Sequence, residues 1–108
     1  MKMKKRKIAV RYALSVNFGK INGIALGVFP KLLQRWLPDG KRVGNEWIAL
    51  NPCRMDNNPG SFSINIRTGR WADFATGDKG GDVISLAAYL AGESQFTAAI
   101  HLADMLGL

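Results

Sequence analysis

The sequence predicts a small α+β domain: an N-terminal helix, a three-stranded antiparallel sheet and two C-terminal helices packed on one sheet face. Three observations predict it. Apolar residues recur at spacings of three and four between Ile21 and Trp36, Phe62, Ile64 and Ile66 alternate with polar residues, and two further helical patterns run from Asp82 onward, each opened by a capping residue. With 108 residues, 47% of them hydrophobic, the chain suffices for one modest core.

The first helix carries Ile21, Ile24, Ala25, Val28, Phe29, Leu32, Leu33 and Trp36 on one stripe. Pro30 interrupts it, because an interior proline removes a backbone bond and clashes with the turn before it. The helix must therefore kink, or restart with Pro30 in its first turn. Leu37-Pro38-Asp39-Gly40-Lys41 is a turn, followed by a strand at Glu46 to Leu50. Two prolines, three asparagines and a glycine between Asn51 and Gly60 predict an irregular loop. The second strand runs from Ser61 to Arg67, with Phe62, Ile64 and Ile66 on its inner face, and Arg70 to Phe74 returns as its partner after a turn at Gly69. A glycine-rich loop then reaches Asp82, placed to accept a backbone N–H in the first turn of a helix whose face is Val83, Leu86, Ala87 and Leu90. Gly92 ends that helix, and Ser94 caps the last one, with Phe96, Ala99, Ile100, Ala103 and Leu106 as its expected face.

The net charge of +7 is unevenly distributed. Lys2, Lys4, Lys5, Arg6, Lys7 and Arg11 hold six of the fifteen positive charges, while from Tyr12 onward nine basic residues face eight acidic ones. Residues 1–16 thus read as a basic arm, attractive to phosphate or to an anionic surface without reading sequence, and residues 17–108 as the folded domain. The single cysteine, Cys53, excludes an intramolecular disulfide and a thiolate metal cage, and sets a reduced, cytoplasmic compartment as the expectation. The apolar run after the lysines is broken by Arg11, Asn17, Lys20 and Asn22, so neither a signal peptide nor a membrane span is expected.

A strand, an Asn-Pro-rich loop, Pro59 with Ser61-Phe62, Trp71 to Phe74 and Gly80-Gly81-Asp82-Val83-Ile84-Ser85 follow one another in an order that resembles the zinc-binding domain of bacterial and phage DNA primases. It is most similar to the N-terminal module of primase-helicase proteins carried by phages and mobile elements. The likeness runs from about Trp47 to Leu90 and implies a zinc-ribbon-like sheet, a role in DNA replication, and a primase or helicase partner. In that family a Cys-Pro-x-His pair before the hairpin and a Cys-x-x-Cys pair after it hold zinc. Alignment on the prolines and the hairpin puts Asn51, Arg54, Asp73 and Thr76 at those positions. Zinc needs about four soft or borderline ligands, which these residues do not supply, so no metal and no other cofactor is expected. Losing zinc removes on the order of 10 kcal/mol from a small finger. Apolar packing of Trp47, Phe62, Ile64, Ile66 and Trp71, together with an Arg54 to Asp73 ion pair, is the expected replacement.

Arg54, Arg67, Arg70 and Lys79 lie on or beside the hairpin, with Trp71 and Phe74 between them. Cations that track phosphates and aromatics that stack bases make a single-strand platform, so Arg54, Arg67, Arg70, Trp71 and Lys79 are the candidate nucleic-acid contacts. Trp71 reads equally as a core residue. The Thr76 to Asp82 loop lacks the spacing of a nucleotide-binding P-loop. His101 sits beside the last helix's stripe, Asp78 is alone on a loop, and no nucleophile, base and orienting group converge, so no enzyme is expected. The function expected is non-catalytic binding of single-stranded DNA for a primase or helicase. The rival is a module that docks on a replicative polymerase or helicase and no longer binds nucleic acid.

Overall fold

A computed structural model describes residues 16–108. The expected basic arm, residues 1–16, lies outside the described residues except for Val16. Among them, four helices and a five-stranded antiparallel sheet form an α+β domain.

Helix α1 spans Phe18–Gly27, opened by Asn17, whose side chain accepts from the Lys20 N–H at 3.0 Å. The single helix expected to run on to Trp36 is in fact two. The chain leaves helical geometry at Val28, with φ −123°, and α2 begins as Phe29–Trp36 with Pro30 in its first turn, where a missing N–H costs nothing. Ile21, Ala25, Phe29, Leu32 and Leu33 are buried as expected, but Ile24 is exposed and Trp36, beyond the break, is only half-buried.

The sheet has two strands more than the sequence predicts. β1 (Lys41–Val43), β2 (Glu46–Ala49), β3 (Phe62–Asn65), β4 (Trp71–Asp73) and β5 (Lys79–Gly80) each pair antiparallel with the next. β1 exists because Gly44, at φ +62°, allows a two-residue turn that folds Lys41–Val43 back onto β2. β5 exists because the loop after β4 returns its backbone to Trp71 and Ala72. Gly80 is required there, as a Cβ would overlap the Trp71 indole and the Ser85 hydroxyl.

Opposed residues share a face, so the register sorts the sheet in two. Trp47, Ile64, Trp71 and Gly80 form one row on the helix-covered face, with Ala49, Phe62 and Asp73 beside it. Phe62 and Trp71 meet edge to face at 6.2 Å, and the Tyr89 ring lies 4.5 Å from the Trp71 ring. Among the described residues no helix covers the other face, which is described below.

Helix α3 (Val83–Ala91) opens with a capping box in which Asp82 accepts from the Ser85 N–H at 2.8 Å and the Ser85 hydroxyl receives the Asp82 N–H. The Ile84 N–H donates to Asn22 Oδ1 at 2.9 Å, so α1 ties down the start of α3. Gly92, at φ +68°, ends α3. Helix α4 (Gln95–Met105) is capped by Ser94 but buries Ala98, Ala99, Leu102 and Ala103. The expected face is therefore rotated: Phe96 is 45% exposed, and Ile100 and Leu106 are only half-buried. Alanines at 98, 99 and 103 leave room for a close neighbour where phenylalanine does not. No single helix among the described residues is long and apolar enough to cross a membrane, and α3 and α4 together turn through 106°.

Candidate nucleic-acid interface

Two features flank the hairpin: a buried polar knot behind it and the open sheet face in front of it. Asp73 ends β4 on the covered face with no exposed surface. Its Oδ2 accepts from Arg54 Nε at 2.7 Å and Asn51 Nδ2 at 2.9 Å, and its Oδ1 accepts from the Ala75 N–H at 2.9 Å and Arg54 Nη2 at 3.2 Å. Asn51, also buried, donates through Nδ2 to the Tyr89 hydroxyl at 2.8 Å and accepts the Cys53 N–H on Oδ1 at 2.9 Å. Tyr89 donates in turn to Asp78 at 2.8 Å. Asp56 accepts the Asn51 N–H and sits 3.4 Å from Arg54. The knot thus joins the Asn51–Asn58 loop, the end of β4, the β4–β5 loop and α3. No buried side-chain nitrogen or oxygen among the described residues lacks a partner. The hydrogen bonds from Arg54 hold the Asp73 carboxyl well below the usual carboxylate range, against the upward push of burial. Burial pushes the Tyr89 hydroxyl up.

Three of the four positions aligned with the zinc ligands of the resembled family, Asn51, Arg54 and Asp73, meet in this knot. The fourth, Thr76, spends its hydroxyl on the Asp78 N–H at 3.2 Å. They do not fit zinc. Both Asp73 oxygens are filled by N–H donors, and Arg54 puts a cation where a metal would have to sit. Among the described residues no group of three His, Cys, Asp or Glu could hold a metal ion. The expected Arg54 to Asp73 ion pair is present.

The open face follows from the register. Lys41, Ile48, Ser63, Ala72 and Lys79 form one row across all five strands, about 19 Å from end to end at the usual strand spacing. Val43, Glu46 and Asn65 form the next, continued by Arg70, whose carbonyl accepts the Asn65 N–H at 2.7 Å. On the other side Phe74, whose N–H donates to the Ser61 carbonyl at 2.8 Å, carries the same alternation past β4. Ile48, Ser63 and Ala72 make the centre of the row, lysines stand at its two ends, and Phe74 stands 76% exposed on the same face. A groove of about 450 Å³ runs here, lined by Glu46, Ser63, Asn65, Arg70, Phe74 and Lys79 among others.

The five predicted contacts divide. Arg70 and Lys79 are exposed on the open face, and Arg67 is exposed in the β3–β4 turn, which Asn65 holds by accepting the Arg67 and Thr68 N–H groups. Arg54 is consumed by Asp73 and by the Met55 carbonyl, so it is not free to follow a phosphate. Trp71 is 5% exposed and donates its indole N–H to Ser85 at 2.9 Å, which places it in the core and leaves no ring face for a base. Phe74 is the exposed aromatic instead. Lys41 and Glu46 belong to the face and were not among the predicted contacts; their signal was the Gly44-Asn45 turn, which sets β1 beside β2. His101 is exposed and lies 3.0 Å from Glu93, away from this face. No family model and no curated protein matches the chain.

Proposed function

We propose that the open sheet face binds single-stranded DNA, in a non-catalytic module that serves a primase or helicase of a phage or mobile-element replication system. The observation that carries the reading is the placement of Lys41, Arg70 and Lys79 with the exposed Phe74 on the one sheet face that no helix of the described residues covers. A π-face and two exposed cations on a shallow groove, with Lys41 at the far edge of the same face, suit a flexible strand, since stacking accepts every base and the cations follow the phosphates. The assignment to a primase or helicase system rests on the residues of the resemblance. The knot around Asp73 supports the reading indirectly, because it holds the β4–β5 loop, and with it Lys79, without a metal.

Binding is tested in protein lacking residues 1–11, whose six positive charges would otherwise mask the face. Replacing Arg70 and Lys79 with alanine weakens binding to strands of every sequence and makes the slope of log affinity against log salt shallower by about 1.4. Exposed Leu50 at the Phe74 end of the sheet, 44% accessible, favours the second reading, a surface for a replicative polymerase or helicase. Absence of binding at low salt in the arm-free protein, or an unchanged slope in the double variant, overturns the first reading and leaves the second.

A further inference from the structure

The open face holds one group that a purely phosphate-tracking surface does not need. Glu46 lies mid-face on β2, half-buried, in a row whose other charged member is Arg70. Ser63 Oγ donates to its Oε1 at 2.7 Å and Asn65 Nδ2 to its Oε2 at 2.9 Å. The donors are themselves fixed. Asn65 cannot turn its amide round, because Oδ1 already accepts the Arg67 and Thr68 N–H groups. A carboxylate in a cationic groove would ordinarily weaken binding to a phosphate chain, yet this one is oriented by two hydrogen bonds and lines the groove with Phe74.

We infer that Glu46 reads a base in this groove and selects guanine. The inference rests on the single-strand reading of the face. Each carboxylate oxygen has about two acceptor sites, of which Ser63 and Asn65 take one apiece, so one on each oxygen remains for a ligand. Two neighbouring acceptors call for two neighbouring donors. Unstacked bases are read on their Watson–Crick edges, and there guanine alone offers adjacent donors, N1–H and the N2 amino group. Cytosine and adenine place a ring nitrogen acceptor beside their single amino group, and thymine flanks N3–H with two carbonyls, so each would point a lone pair at the carboxylate. Phe74, opposite Ser61 and thus four residues along β3 from the partner of Glu46, stacks a neighbouring base, and Arg70 and Lys79 take the flanking phosphates.

The test uses the protein lacking residues 1–11, which keeps every described residue, and a set of thymine 12-mers that carry one central guanine, hypoxanthine, adenine, cytosine or thymine, with affinity read by fluorescence anisotropy. The guanine strand binds about tenfold tighter than the adenine, cytosine and thymine strands, as a bidentate base contact provides. Hypoxanthine keeps N1–H but lacks the amino group, and binds about threefold less tightly than guanine. Glu46→Gln abolishes the preference, bringing the ratio of guanine-strand to thymine-strand affinity to about one. The variant is accommodated, because a glutamine oxygen can accept from Asn65 while its amide donates to the Ser63 hydroxyl; an unchanged melting temperature verifies this. Equal affinity for all five strands, or a guanine preference that survives Glu46→Gln, overturns the inference and leaves the single-strand platform standing. Failure to bind any strand overturns the platform itself, and the inference with it.

Discussion

Replacing Asp73 with alanine lowers the thermal midpoint by roughly 15 °C, or about 3 kcal/mol. The carboxylate is fully buried and accepts four hydrogen bonds. Its removal leaves the Ala75 N–H, one N–H of the buried Asn51 amide and the Arg54 Nε–H without the acceptor they share, and buried donors stripped of their partner cost far more than the bond itself contributed. Arg54→Ala is milder, because Asp73 then keeps Asn51 and Ala75. The pH dependence has a definite sign. A carboxyl whose folded pKa is depressed stabilises fully above the unfolded value of about 4, and this contribution is lost as pH falls through the folded value, which lies below the usual carboxylate range. Stability therefore declines on acidification below about pH 4, and Asp73→Asn flattens that decline. Circular-dichroism melts between acid and neutral pH measure both. A midpoint for Asp73→Ala within about 3 °C of the parent means that the knot contributes little.

Ile64→Ala costs about 2 to 5 kcal/mol, by urea denaturation. Ile64 has no exposed surface and stands between Trp47 and Trp71 in the central core row of the sheet. Truncation there leaves a cavity between two rigid indoles. Each indole is held by its own hydrogen bond, Trp47 to the Leu37 carbonyl and Trp71 to Ser85, so neither moves easily to fill it. An unchanged denaturation midpoint indicates that the strand is shifted by one residue, since a slip of one turns every side chain of β3 to the opposite face.

That register was legible because strict alternation over Phe62, Ile64 and Ile66 admits one solution. The caps were equally legible: Asp82, Ser94 and Gly92 stand where their local chemistry requires. The two edge strands were not. Lys41-Arg42-Val43 is exposed throughout and shows no alternation, and Lys79-Gly80 is two residues inside a glycine-rich loop, paired through backbone that side-chain pattern does not encode. The face of α4 was misread because hydrophobicity ranks Phe96 above Ala98, whereas room for a close neighbour favours the alanine.

The candidate site was legible in part for the same reason. Arg67, Arg70 and Lys79 are exposed as strand alternation and loop position imply, whereas Trp71 could be placed only by the burial of its partners Phe62 and Tyr89. The pairing of Arg54 with Asp73 followed from aligning the two loops on the hairpin. The contributions of Asn51 and Tyr89 did not, because both are long-range contacts to groups at least 22 positions away. Glu46 drew no notice because its meaning depends on β3 lying beside it and on β1 leaving that face open.

The most direct test of the single-strand platform is an NMR titration of the isotope-labelled, arm-free domain with an unlabelled thymine 12-mer at low salt. Amide shifts are expected to move along the open face, at Lys41, Ile48, Ser63, Ala72, Phe74 and Lys79, and to leave the α3–α4 surface around Leu90, His101 and Met105 unchanged. No saturable shifts, or shifts confined to that helical surface, contradict the assignment of the open face to single-stranded DNA.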